Sequence, residues 1–235
     1  MDSQVARTEI IRVEDVTKVY HDNGVPVNAL RGISLAVSPG DFSVIAGPSG
    51  SGKTTLLNII GTLDKPSDGK IILDGENVAS KTRRELAGIR LKKIGFVFQA
   101  YNLNPVLTAL ENVEFTMMLR GIDARERKRR GMALLEQLGI AELAHKRPNE
   151  MSGGQQQRVA VARAISNDPR LVLADEPTAN LDSGTAIKLL KLMEKLNHEG
   201  GITFVFSSHD PQVIERAHRL LILKDGHIVT DKTNQ

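Results

Sequence analysis

The residues best placed by type and spacing to do chemistry are Gly47, Pro48, Ser49, Gly50, Ser51, Gly52, Lys53, Thr54 and Thr55. They fit the phosphate-loop pattern GxxxxGK[ST], with the apolar run Phe42 to Ala46 before them and a helix-like run, Leu56 to Ile60, after. Glycines let the backbone curl until successive N–H groups point inward at a polyphosphate. A helix beginning near Gly52 adds its positive end, and Lys53 adds a full charge toward the β and γ phosphates. The Thr54 hydroxyl is suited to a magnesium ion carried by the nucleotide. A glycine-rich turn capping an ordinary helix would not require three glycines followed by Lys-Thr-Thr. Nucleotide binding is the first expectation.

A second stretch has the same character. Met151-Ser152-Gly153-Gly154-Gln155 opens a helix expected to run to about Ser166, with Ser152 and Gln155 at capping-box spacing. A cap alone needs no glycines, whereas bare backbone at a helix start admits a phosphate. Two anion-ready helix starts exceed what one triphosphate requires.

Acids and a histidine follow. Leu171-Val172-Leu173-Ala174 stops at Asp175-Glu176, and Ile202 to Phe206 stops at Ser207-Ser208-His209. Near-continuous apolar runs separated by helices indicate strands buried on both faces of a parallel sheet, whose ligands sit beyond the strands' carboxyl ends. Asp175, Glu176 and His209 are therefore expected at the rim that carries the phosphate loop. Asp175 suits magnesium, directly or through water, and Glu176 suits a general base or an orienter of the attacking water. Gln99, at the end of a strand from Ile94 to Phe98, could sense magnesium and water, and His209 could contact the γ phosphate. Taken alone, such a histidine is more often structural. The reaction implied is in-line attack of water on the γ phosphate, driven by positioning and electrostatics.

The elements that must hold these groups can be read in outline. Strands are expected from Ile10 to Val19 and Gly32 to Val37 around an Asp22-Asn23-Gly24 turn, with Tyr20 at a strand end, where it could simply cover the sheet edge. A strand from Lys70 to Leu73 ends in Asp74-Gly75, and a charged helix spans Arg83 to Lys93. Beyond the loop Ala100 to Pro105, helices are expected over Thr108 to Leu119 and Asp123 to Leu138, the second marked by capping-box spacing of Asp123 and Glu126. The cluster Arg125, Arg127, Lys128, Arg129 and Arg130 falls in the first turns of that helix, where positive charge opposes the dipole, and reads as a solvated face. A helix from Asn180-Leu181-Asp182 to about Asn197 and a hairpin from Arg219 to Thr230 complete the chain.

The 235 residues suit one large domain or a core plus subdomain. A net charge of +3, no Trp and 3% aromatic residues argue against a single-strand nucleic-acid binder. The absence of cysteine excludes disulfides, thiolate catalysis and cysteine-ligated zinc, and fits a reducing compartment. Met1 to Ile10 is polar and unlike a signal peptide. No run approaches the ~20 apolar residues of a membrane span, so the chain reads as soluble, with membrane association through a partner.

The ordered set Tyr20, Gly47 to Thr55, Gln99, Met151 to Gln155, Asp175-Glu176, Asn180 to Asp182 and His209 resembles an ABC-transporter ATP-binding subunit along essentially the whole chain. The resemblance implies an α/β fold: a phosphate-loop NTPase core with a mostly parallel sheet, an N-terminal antiparallel β region and an inserted α-helical subdomain. Its boundaries would be about 1–98 and 167–235 for the core and 99–166 for the insert. It implies ATP and Mg2+ as cofactors, Tyr20 stacking on adenine, and Gln99 as the Q-loop. Ser152, Gly153, Gly154 and Gln155 become the signature, Asp182 part of the D-loop, and His209 the switch histidine. Two copies would pair head to tail, each signature meeting the γ phosphate held by its partner. Within the family, Ile59 to Pro66 and Phe98 to Pro105 resemble the branch serving lipoprotein release, macrolide export and cell-division permeases. Met151 for the usual Leu and Ser208 for the common Thr before His209 are modest departures. The lack of a regulatory domain after Gln235 argues against importers with extended C-termini. A permease would dock near Ala100 to Glu111 at the cytoplasmic face of a prokaryotic membrane, with no nucleic acid as partner. A soluble ABC ATPase acting on DNA or ribosomes would carry coiled coils, zinc cysteines or two cassettes. A nucleotide switch would lack Glu176, and a GTPase would need an NKxD base reader.

Overall fold

The computed structural model describes residues 9–22 and 25–234. Two sheets face each other across one helix. Strands β1 (Ile11–Asp22), β2 (Val25–Val37), β4 (Asp68–Leu73) and β5 (Glu76–Asn77) form an antiparallel sheet in the order β2-β1-β4-β5. The second sheet has the order β10-β9-β3-β8-β7-β6, from β3 (Phe42–Ala46), β6 (Ile94–Val97), β7 (Leu171–Asp175), β8 (Thr203–Ser207), β9 (Arg219–Lys224) and β10 (His227–Thr233). All its pairings are parallel except β9 with β10. The architecture is the expected mixed α/β fold.

Helix α1 (Lys53–Ile60) buries Leu56, Leu57, Ile59 and Ile60 between the sheets, in a core shared with Ile11, Ile33, Ile45 and Leu173. Burying each such side chain contributes about 1.5–3 kcal/mol. The helix is thus anchored by its apolar side chains while its N-terminus stays free. On the other face of the parallel sheet, Phe42, Phe204 and Phe206 pack with residues of α3 (Ala109–Leu119), α4 (Ala124–Gln137), α5 (Gly153–Ile165) and α6 (Ser183–Gly200). Helix α2 (Arg83–Lys93) leads into β6, and the short α7 (Pro211–Ile214) follows β8. Between β6 and β7 the chain is helical or irregular throughout.

Some expected boundaries move. β1 and β2 are longer than the alternation suggested, pairing as far as Asp22 with Val25, because cross-strand bonds continue past the apolar positions. Asn23 and Gly24 of the expected turn lie outside the described residues, as do Met1 to Thr8 of the polar N-terminal stretch. The Asp123–Glu126 capping box does not form. Asp123 caps α4 through the Arg125 amide at 2.9 Å, while Glu126 turns outward to Arg129 and Arg130. A nearby guanidinium is a stronger partner for a carboxylate than a second backbone amide.

Candidate active site

Sheet register builds the site. Ile45, Ser207 and Asp175 lie level with one another across β3, β8 and β7, so the strand feeding the phosphate loop and the strand ending in the acids finish at one rim. β3 and β8 are buried along their whole length, and β7 as far as Ala174, as runs covered on both faces should be.

The loop from Gly47 to Gly52 needs its glycines for close approach. Gly47 has φ 150°, and a Cβ there would fall 2.1 Å from the Leu223 carbonyl oxygen. Gly52, at φ 103°, would place one 2.6 Å from the Ala29 carbonyl oxygen. The loop is therefore pressed against β9 and β2, and its open side faces a cavity. Gly52 also caps α1 without any side-chain hydrogen bond, leaving the first amides of the helix bare. Lys53, almost fully buried, curls back to donate from Nζ to the Gly47 and Pro48 carbonyls at 2.8 and 3.0 Å.

Thr54 Oγ1 donates to Asp175 Oδ1 at 3.1 Å, and Ser207 Oγ donates to the same carboxylate oxygen. Consecutive strand residues normally point to opposite faces. Glu176 escapes that rule because its φ is 45°, in the left-handed region, which swings its carboxylate toward the rim beside Asp175. Its Oε1 lies 2.8 Å from His209 Nδ1, and its Oε2 accepts from Ser208 Oγ at 3.4 Å.

A cavity of about 620 Å³ opens at this rim, though Gly47, Ser51 and Asp175 are not among the residues that line it. Tyr20, Pro48, Ser49, Gly50, Gly52, Lys53, Thr54, Thr55, Gln99, Glu176 and His209 all line it. Among the described residues no group of three or more His, Cys, Asp or Glu is placed to hold a metal. The Thr54 hydroxyl and the Asp175 carboxylate, hydrogen-bonded at 3.1 Å, are nevertheless hard-oxygen groups of the kind magnesium takes alongside phosphate and water.

A family model described as ABC transporter matches residues 30–179. The chain belongs to the ABC transporter family. The cassette is 46% identical over 225 residues to the lipoprotein-releasing system ATP-binding protein LolD of Aquifex aeolicus, covering 96% of this chain and 98% of that one. It is 45% identical over 231 residues to the macrolide export ATP-binding/permease protein MacB of Brucella melitensis; that match covers 98% of this chain but 36% of the relative's length. Its fold matches the dimeric, post-hydrolysis structure of the cassette MJ0796 of Methanocaldococcus jannaschii bound to ADP and Pi, with TM-score 0.90, 43% identity and coverage of 96% and 99%. The chain is an ATP-binding, ATP-hydrolysing cassette of this type.

The remaining expected residues sit elsewhere. None of Ser152, Gly153, Gly154 and Gln155 lines the cassette's own cavity. They form the N-terminus of α5, where Ser152 and Gln155 make the expected capping box. Their glycines also answer to packing within the chain: a Cβ on Gly153 would meet the Tyr101 hydroxyl at 2.6 Å, and one on Gly154 would meet Thr185 Cγ2 at 2.3 Å. Asp182 caps α6, accepting from the Thr185 amide at 3.0 Å. Just before it, Asn180 donates to the Gln99 carbonyl at 2.9 Å. Sequence reasoning missed Val27, Asn28 and Ala29, which close the cavity from β2. Val27 pairs with Tyr20 only through a register containing bulges, and no local pattern announces it.

Proposed function

We propose that the cassette is the motor of a membrane transporter, working as a head-to-tail pair in which each α5 tip closes on the nucleotide of its partner. The observation that carries this reading is the distance between roles in one chain: a helix start suited to phosphate, Ser152 to Gln155, lies outside the cavity that its own phosphate loop lines. Asp182 at the neighbouring helix start would join it in the paired state.

Each residue then has a task. Lys53 releases the loop carbonyls to meet the β and γ phosphates, and the bare α1 amides take the remaining oxygens. Thr54, Asp175 and Gln99 would hold magnesium, which when bound neutralises charge on the β and γ oxygens. Glu176 orients the attacking water and accepts its proton as the new phosphorus–oxygen bond forms and the bond to ADP breaks. His209, with Nδ1 engaged by Glu176, has Nε2 available to the γ phosphate. Tyr20 stacks on the base.

Residues 99–166 are proposed as a helical subdomain that shifts against the core, 1–98 and 167–235. Among the described residues no helix is long and apolar enough to cross a membrane. A groove of about 540 Å³, lined by Ala87, Leu91, Phe96, Phe98, Phe115 and Leu119 among others, is offered as the seat of a permease's cytoplasmic helix at the inner face of a prokaryotic membrane. Asn102 lines it from the stretch Ala100 to Glu111. The work done is lipoprotein-release or macrolide-export type force transmission or export, without nucleic acid.

Glu176→Gln saturated with MgATP and sized by light scattering is expected at twice the mass of the chain, with steady turnover abolished. A strictly single species would defeat the paired-site reading. Affinity purification from detergent-solubilised membranes should bring down an integral membrane protein.

A further inference from the structure

The residues Leu63-Asp64-Lys65-Pro66, just beyond α1, take no part in the phosphate chemistry, yet they are tied to the edge of the nucleotide cavity. The Tyr20 hydroxyl donates to Asp64 Oδ2 at 2.8 Å. Lys18 Nζ donates to Asp64 Oδ1 and to the Lys65 carbonyl, both at 2.8 Å. The same ammonium lies over the Tyr20 ring, 4.7 Å from its centroid. Asp64 is itself steadied by the Lys65 amide at 2.7 Å, and the Lys18 side chain is only 12% exposed.

This arrangement constrains the tyrosine at two points. Its hydroxyl is fixed on Asp64, and one ring face is held by a largely desolvated ammonium, a contact stronger than it would be at an open surface. Tyr20 also lines the cavity, together with Val27. An aromatic side chain free to rotate would lose rotamer freedom on stacking against a ligand. Here that ordering precedes binding. Burial alone would raise the Asp64 carboxyl, but the bonds from Lys18, Tyr20 and the Lys65 amide hold it below its ordinary value, so the clamp stays charged at neutral pH. Because Asp64 follows α1 closely, and α1 begins at the phosphate loop, the stacking platform and the phosphate cradle are set by one rigid element.

We propose that Asp64 and Lys18 are positioning residues that lock Tyr20 as a preorganised stacking platform and thereby set the preference for a purine over a pyrimidine nucleotide. The inference rests on the reading of Tyr20 as the base-stacking residue. The test measures MgADP and MgUDP affinity by calorimetry and competition by inorganic tripolyphosphate, which has no base, in Asp64→Ala, Lys18→Met, Tyr20→Ala and the Tyr20/Asp64 double variant. Asp64→Ala is expected to weaken MgADP about fivefold and to lower the ADP-over-UDP preference, with Lys18→Met causing a smaller loss of the same kind. Tripolyphosphate binding should be unchanged in both. In the Tyr20→Ala background the Asp64 effect should vanish. Equal loss of tripolyphosphate and ADP, persistence of the Asp64 effect without Tyr20, or unchanged ADP affinity in both clamp variants would overturn the proposal. Unchanged ADP affinity in Tyr20→Ala alone would instead remove the base-stacking reading beneath it. Should Asp64→Ala fail to fold, Lys18→Met carries the same comparison.

Discussion

The N-termini of α1 and α5 are alike in one respect and opposite in another. Neither has an acidic residue in its first turn. At α1 the cap is a left-handed glycine with no side-chain bond, and the amides open directly into the cavity. At α5 two of the first amides are already engaged: Gln155 Oε1 accepts from the Ser152 amide at 2.9 Å, and Ser152 Oγ accepts from the Gln155 amide at 3.4 Å. Helices α2 and α3 have the same box built from Thr82 with Glu85 and Thr108 with Glu111. Only at α5 among these three is the third position a neutral amide. A carboxylate there would satisfy the amides equally well in the isolated chain but would repel a phosphate. The difference teaches that a helix start can be capped without placing a negative charge where an anion would have to approach.

The largest expected effect is at α1. Lys53→Ala should raise the nucleotide dissociation constant by about 100-fold, the loss expected for charge-assisted bonds to phosphate. A calorimetric change of less than about threefold would mean that bare amides alone suffice there. Next comes Gln155→Glu, which keeps the box and should leave thermal stability and MgADP binding by the single chain intact while lowering ATP turnover about tenfold. The reciprocal Glu111→Gln should leave turnover unchanged; equal effects at the two boxes would erase the distinction between α5 and α3. Ser152→Ala should lower stability by about 1 kcal/mol, read from a denaturation curve, and turnover by a few fold, with nucleotide binding by the monomer preserved. The smallest effect concerns α4, whose first turn does carry an acid. Side-chain bonds from Arg129 and Arg130 lower the Glu126 carboxyl from 4.5 to about 2. A carboxyl lowered on folding stabilises above its unfolded pKa, and that contribution fades as pH falls through the folded value. Glu126→Gln should therefore lower the melting temperature slightly above pH 4.5 and flatten its fall between pH 4.5 and about 2.

The fold was legible where periodicity and buried runs coincide. α2 matched its expected span of Arg83 to Lys93, and the strand ends carrying Asp175 and His209 met the phosphate loop at one rim. Legibility failed where a side chain had a choice of partners. Glu126 matched a capping spacing but found two guanidinium groups instead. The glycines beside Ser152 suggested phosphate approach, yet each also answers to a close neighbour, Tyr101 or Thr185, that no local pattern could name. Tyr20 was visible as an aromatic at a strand end, but its partners Lys18 and Asp64 were not, because Asp64 is brought back only by the length and packing of α1.

What the sequence determined by itself was the chemistry: a glycine-curled loop with Lys53 and Thr54, acids after an apolar strand, and a second glycine-flanked helix start, since residue type and short-range spacing set which groups can meet a phosphate. What tertiary structure alone decided was their assembly. The strand register set Asp175 level with Ser207 and Ile45, the left-handed turn at Glu176 brought two neighbouring acids to one side, and the packing of the helices left Ser152 to Gln155 outside the cavity of their own chain. Those outcomes depend on contacts between segments far apart along the chain, which no short window of residues contains.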